Sequence, residues 1–112
     1  AQALAAHSQP EVLLVIDCLT LWLTNHVMPM RPQADAVLDV DRLASALAAS
    51  IESALGPVLV VGNEIGLGVV PMGAEVRAFV DALGRLNQRI ADVCARVTFM
   101  AAGLPLTLKA AP

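Results

Sequence analysis

Two acidic residues stand where two apolar runs end. Asp17 closes Glu11-Val-Leu-Leu-Val-Ile-Asp17, and Glu64 closes Pro57-Val-Leu-Val-Val-Gly-Asn-Glu64. In open parallel sheets ligands bind beyond the carboxyl ends of the strands, so both acids fall where chemistry is done. A hard cation such as Mg²⁺ takes oxygen ligands beside substrate phosphates, and acids at strand ends supply those oxygens directly or through water. Acids also end strands simply to cap the next helix or to face solvent, and spacing alone leaves the two readings of Asp17 level.

Glu64 lies within Gly62-Asn63-Glu64-Ile65-Gly66-Leu67-Gly68. Its glycines permit positive φ and close approach of the backbone to a ligand, although a tight turn has the same composition. The loop does not match G-x-x-x-x-G-K-[ST], and neither does any other part of the chain, whose one lysine is Lys109. His7, before Ser8-Gln9-Pro10 in an expected exposed turn, and His26, near a helix end, have no acid at hydrogen-bonding spacing, which favours structural roles. Arg85 and Arg89 share a helix face that could bind phosphate, with a solvated or salt-bridged surface as the commoner explanation for them and for Arg77. Cys18 and Cys94 read as buried thiols, not a disulfide or metal pair. Trp22 and Met28 or Met30 read as packing residues.

The elements that must hold these groups follow from periodicity. The two runs ending at Asp17 and Glu64 are patterned as parallel strands buried on both faces. A third strand is predicted over Arg96–Ala101. A fourth, Leu104–Lys109, follows too closely for a crossover and so returns antiparallel at a sheet edge, where Pro105 is tolerated. Helical spacing predicts a helix from an Asp39 N-cap through Ile51, stopped by Gly56-Pro57, and another over Ala74–Ala95. On the second, Asp81 and Arg85, and Asp92 and Arg96, are acid-before-base pairs. A shorter helix spans Leu19–His26, before a loop over Pro29–Ala36. The fold class is α/β: a single domain over residues 1–112, a mostly parallel sheet with flanking helices and an antiparallel edge strand.

Composition narrows the function classes. Hydrophobic residues make up 57% of the 112 residues and charged residues 15%, against about a quarter in ordinary soluble chains. With a mean hydropathy of +0.70, the chain has too little polar surface to cover itself, so partner subunits or further sequence are expected to bury part of it. The charge-free stretch Cys18 to Met30 is shorter than the roughly 18 residues a membrane span needs and contains Asn25 and His26. The first residues lack the pattern of a secretory signal, so the cytoplasm is the expected location. A net charge of −3 leaves no basic footprint for nucleic acid.

Four segments together resemble one family, the bifunctional adenosylcobinamide kinase/adenosylcobinamide-phosphate guanylyltransferase of cobalamin biosynthesis. They are Leu13-Leu-Val-Ile-Asp-Cys-Leu-Thr-Leu-Trp-Leu-Thr-Asn25, Val58-Leu-Val-Val-Gly-Asn-Glu-Ile-Gly-Leu-Gly-Val-Val-Pro71, Gly84-Arg-Leu-Asn-Gln-Arg89 and Ala102-Gly-Leu-Pro-Leu-Thr-Leu-Lys109. The resemblance covers nearly the whole chain, and the first two blocks are its most specific part. It implies a RecA-like P-loop fold, a homotrimer, and two reactions on a corrinoid. ATP or GTP phosphorylates the aminopropanol hydroxyl of adenosylcobinamide, and GTP then donates GMP through a guanylylated histidine. Asp17 takes the Walker-B-like position near Mg²⁺ and the nucleotide, and Thr20, Asn25, Asn63 and Glu64 fall in motif positions around the same strand ends.

The departures are equally definite. The family's P-loop and guanylylated histidine lie upstream of the strand ending at Asp17, and neither is in this sequence. His7 does not occupy the histidine motif. Gly73 stands where the family usually has a polar residue. The resemblance therefore implies the C-terminal two-thirds of such an enzyme, without its first strand and P-loop and inactive alone. The alternative is a non-catalytic oligomerisation or interaction domain derived from the same family.

Overall fold

The computed structural model describes residues 1–28 and 39–111, and the loop expected over Pro29–Ala36, with Met30, lies outside the described residues. The chain runs α1 Gln2–His7, β1 Leu14–Asp17, α2 Leu19–Val27, α3 Val40–Glu52, β2 Val58–Val61, α4 Ala74–Val93, β3 Val97–Ala101 and β4 Leu104–Lys109. β1 and β2 pair in parallel, with Leu14 opposite Val58 and Asp17 opposite Val61. The β-branched residues expected to make strands do so, but each strand is only four residues long.

The helices follow their sequence signals closely. Asp39 caps α3 by accepting a hydrogen bond from the Arg42 amide at 3.0 Å. At the other end Ser53 Oγ donates to the Ala49 carbonyl at 2.8 Å, ahead of Gly56-Pro57. His7 is the last residue of α1, a six-residue helix the sequence did not announce, whose Leu4 enters the core, and the expected exposed turn follows it, with the Val12 amide donating to the Gln9 carbonyl at 3.1 Å. The Ser8 hydroxyl that follows accepts from the Leu55 and Gly56 amides at 2.7 and 3.3 Å, tying the N-terminal segment to the turn before β2.

The core is made by helices. Leu4, Leu19, Leu23, Leu47, Leu83, Leu86 and Ile90, with Ala44, Ala48 and Ala82, form one buried cluster, against which Leu14, Ile16, Val58 and Val60 of the parallel pair pack from one side. This corrects the expectation of strands buried on both faces. Side chains alternate along a strand, and the helices cover only one set. Val15 and Leu59 on the other face remain 55% and 51% exposed.

A second correction concerns the sheet. β3 and β4 form an antiparallel pair of their own, hydrogen-bonded to neither β1 nor β2 among the described residues, so β4 is not the edge of one continuous sheet. The hairpin turns through Ala102 and Gly103, both at positive φ (53° and 74°), the geometry that matches the twist of paired strands. At the open end of the hairpin the register shifts between Val97 and Thr98, where Val97 faces Lys109 and Thr98 faces Thr107. Lys109 Nζ donates to the Ala91 and Asp92 carbonyls at 3.0 and 2.9 Å, joining the foot of the hairpin to the electronegative end of α4.

The acid-before-base pairs of α4 also differ from expectation. Arg85 Nε reaches across to Asp41 of α3 at 3.1 Å instead of turning to Asp81. α4 ends at Val93, so Arg96 lies beyond the helix that would have set it four residues from Asp92.

Candidate functional site

β1 delivers Asp17 to its carboxyl end, and β2, running alongside in the same direction, delivers Gly62, Asn63 and Glu64. Cys18 caps α2, which places Thr20 in the first helical turn. There the Thr20 hydroxyl accepts two hydrogen bonds from Asn63, one from the side-chain Nδ2 at 3.2 Å and a long one from the backbone amide at 3.4 Å. A hydroxyl has two acceptor sites and one proton, so Thr20 keeps its own O–H as a donor. Asn63 likewise keeps its side-chain oxygen.

Asn87 completes the joint. From the middle of α4 its Nδ2 donates to the Asn63 carbonyl at 3.2 Å, so three elements meet at one end of the parallel pair. The sequence reading did not single it out. The signal was present: Asn87 stands four residues after Leu83 and three before Ile90, a polar residue beside the apolar stripe of an amphipathic helix.

Around this joint Asp17, Asn63 and Glu64 are exposed and Thr20 is half-buried. Glu64 Oε1 accepts from the Gly66 amide at 3.0 Å, and a β-carbon on Gly66 would press on that same oxygen at 3.0 Å. The glycines at 62, 66 and 68 do not take positive φ, a conformation found among the described glycines only at Gly103. Asn25, exposed in the last turn of α2, takes no part in the Thr20–Asn63–Asn87 bonds. The strand ends thus carry two carboxylates and the Asn63 amide oxygen, while the Thr20 hydroxyl, with both acceptor sites taken by Asn63, has only its proton left to donate. Among the described residues no three His, Cys, Asp or Glu side chains gather into a metal cage.

The remaining candidates have other occupations. His26 Nδ1 lies 2.7 Å from the Trp22 carbonyl, which fixes the proton on Nδ1, and its ring packs tilted by 44° against that of half-buried Trp22, centroids 4.4 Å apart. His7 ends α1, exposed. Arg77 Nη1 donates to the Pro71 carbonyl at 3.0 Å and to that of Met72, closing the loop that follows Glu64. Both cysteines are free thiols, half-buried and not fully enclosed as expected. Burial pushes the Cys94 thiol above its ordinary value, with Lys109 nearby partly offsetting the rise. No described helix is long and apolar enough to cross a membrane.

Comparison with known proteins agrees on one family. Residues 1–108 match the family model described as cobinamide kinase / cobinamide phosphate guanyltransferase. The bifunctional adenosylcobalamin biosynthesis protein CobP of Pseudomonas aeruginosa is 45% identical over 112 residues, covering 100% of this chain and 62% of that protein. The bifunctional adenosylcobalamin biosynthesis protein CobU of Salmonella typhimurium is 27% identical over 95% of the chain and 63% of its own length, and the CobU of Escherichia coli 28% identical over 93% and 62%. The chain therefore spans a little under two-thirds of the length of these relatives. Matched almost from end to end, it belongs to the cobinamide kinase / cobinamide phosphate guanyltransferase family.

Proposed function

We propose that these residues form the strand-end half of the nucleotide site in an adenosylcobinamide kinase and adenosylcobinamide-phosphate guanylyltransferase. The enzyme would act in the nucleotide-loop assembly of adenosylcobalamin, using GTP or ATP with Mg²⁺. The observation that carries this reading is the joint of Thr20, Asn63 and Asn87 beside Asp17 and Glu64, in a chain of this family.

Mg²⁺ keeps several waters and takes one or two carboxylates plus phosphate oxygens. Asp17 is the residue that would hold it, and the bound ion supplies positive charge to the phosphates. Thr20, whose oxygen accepts both bonds from Asn63, would have its O–H left to donate. Asn63 is held by Thr20 and Asn87, which fixes where the chain turns toward Glu64. Preorganised polar groups of this kind stabilise transferring phosphoryl groups without reorganising at the moment of reaction.

A P-loop with its lysine and a nucleophilic histidine complete the reaction in this scheme, and the 112 residues contain no P-loop sequence. These residues alone are therefore expected to lack both activities. In this reading the complete protein is a cytoplasmic homo-oligomer, a trimer by resemblance. Asp17→Asn in a complete enzyme containing these residues is expected to lower both the kinase and the guanylyl-transfer rates. Wild-type rates for both would remove Asp17 from the site.

One observation favours a second reading, a non-catalytic interaction domain of the same descent: the extent of exposed apolar surface, from Val15 and Leu59 to Leu104, Leu106 and Leu108 of the hairpin. Sedimentation with and without Mg-GTP separates the two. Oligomers indifferent to nucleotide favour the second reading, and nucleotide-dependent behaviour favours the first.

A further inference from the structure

Asp17 and Glu64 are set in place by different means. Asp17 is the last residue of β1 and is paired in the ladder with Val61 of β2. Glu64 lies beyond Val61, where β2 has ended, so no ladder fixes it. Its own hydrogen bond, from the Gly66 amide at 3.0 Å, is local and moves with the loop. Among the described residues, the side-chain bonds that tie this end of the loop to the body of the fold are those at Asn63.

Asn87 anchors that tie in the core. It stands in α4 beside Leu86, which is fully enclosed, and ahead of buried Ile90. Its Nδ2 donates to the Asn63 carbonyl at 3.2 Å. It also packs on the preceding residue, since a β-carbon at Gly62 would meet Asn87 Oδ1 and Leu19 Cδ1, each at 3.5 Å. The chain leaving β2 thus passes between Leu19 of α2 and Asn87 of α4. Thr20 of α2 takes Asn63 by its side chain and its amide, so two core-packed helices hold one exposed residue. A hydrogen bond to an exposed carbonyl adds little stability, because water can replace it. Water does not replace the position that the bond fixes.

We propose that Asn87 is a positioning residue for phosphoryl transfer, acting through Asn63 to set where Glu64 stands relative to Asp17. The proposal rests on the nucleotide site proposed above. In that site the P-loop supplies most of the hold on the phosphates, so Asn87 serves alignment at the moment of transfer and not nucleotide affinity. Misplacing a group by about 1 Å can cost roughly 10²-fold in rate, and a tether that loosens while Thr20 still holds costs less.

Asn87→Leu and Asn87→Asp in a complete enzyme containing these residues test the role. Leucine removes the donor, and aspartate keeps the size but turns an acceptor toward the Asn63 carbonyl. Both are expected to lower kcat for phosphoryl transfer to adenosylcobinamide about tenfold, with the dissociation constant of a fluorescent GTP analogue within about twofold of wild type. Melting temperatures are expected within about 4 °C of wild type, since one exposed bond is lost. Wild-type kcat in either variant overturns the proposal. Weaker nucleotide binding at unchanged kcat also overturns it, by assigning Asn87 to affinity. A loss of rate accompanied by a larger fall in melting temperature assigns Asn87 to folding and overturns it as well. Asp17→Asn separates this proposal from the site beneath it. Wild-type rates in that variant remove the site, whereas lowered rates there with wild-type kcat in the Asn87 variants remove only the role of Asn87.

Discussion

The Thr20 hydroxyl spends both of its acceptor sites on Asn63, and Asn63 gives its carbonyl to Asn87. Each bond is exposed to water and is individually worth about 1 kcal/mol or less. Their combined effect is geometric, because they fix the start of a loop that has few other anchors. Asn87→Leu removes one donor, and since water can replace it at the exposed Asn63 carbonyl, the expected loss of global stability is only about 0.5–1 kcal/mol. The Asn63 and Glu64 amides are expected to exchange faster by NMR while those of Leu83 and Leu86 keep their protection. Unchanged exchange at Asn63 would show that Asn87 tethers nothing. At this scale the sequence was only partly legible. Asp17, Thr20, Asn63 and Glu64 stood out as polar residues in apolar or glycine-rich surroundings, whereas Asn87 was hidden in a helix whose period was read for its leucines. Which partner a side chain chooses was not legible either. Arg85 had an acid four residues before it, yet it bonds to Asp41 on the neighbouring helix.

Two turns hold the elements in place, and both make definite demands on residue type. At Gly56 a β-carbon would lie 1.9 Å from the Gln9 carbonyl oxygen and 2.9 Å from that of Val12, backbone atoms that cannot swing aside. Gly56→Ala is therefore expected to cost about 3 kcal/mol or more, whereas Gly68→Ala, with open space around its β-carbon, should be close to neutral. Urea denaturation of the two variants measures the contrast, and similar midpoints would refute the clash. In the β3–β4 hairpin the demand is unmet, because Ala102 sits at φ 53°, a conformation that disfavours alanine and suits asparagine. Ala102→Asn is expected to stabilise the hairpin by about 0.5–1 kcal/mol, read as slower amide exchange along β3 and β4. Faster or equal exchange would argue against the turn geometry. The strands and the three longer helices were legible because their periods differ so clearly, and Asp39 caps its helix as its position suggested. The six residues of α1 carry no period long enough to read, and only their packing through Leu4 makes them a helix.

The whole molecule is looser than its length suggests. Its radius of gyration is 15.1 Å, against about 13 Å for a compact domain of this size. One face of the parallel pair is bare, and every residue of β4 is exposed. Composition had already indicated this, since a chain with 15% charged residues cannot coat itself in polar groups. Composition does not say which surfaces stay apolar. The absence of a shared ladder between the two strand pairs was illegible for a related reason: strand patterns specify pairing partners weakly, and the order of strands is decided by what else packs between them. The described fold accordingly presents a polar joint at one end of a parallel pair, with the exposed carboxylates of Asp17 and Glu64 at the same strand ends. The most direct test of its proposed role is the Mg²⁺ dependence of phosphoryl transfer to adenosylcobinamide, compared for wild type and Asp17→Asn in a complete enzyme containing these residues. The account expects the variant to lose about 100-fold in rate at saturating nucleotide and to need far more Mg²⁺ for half-maximal activity. Equal rates with the same Mg²⁺ requirement would contradict it.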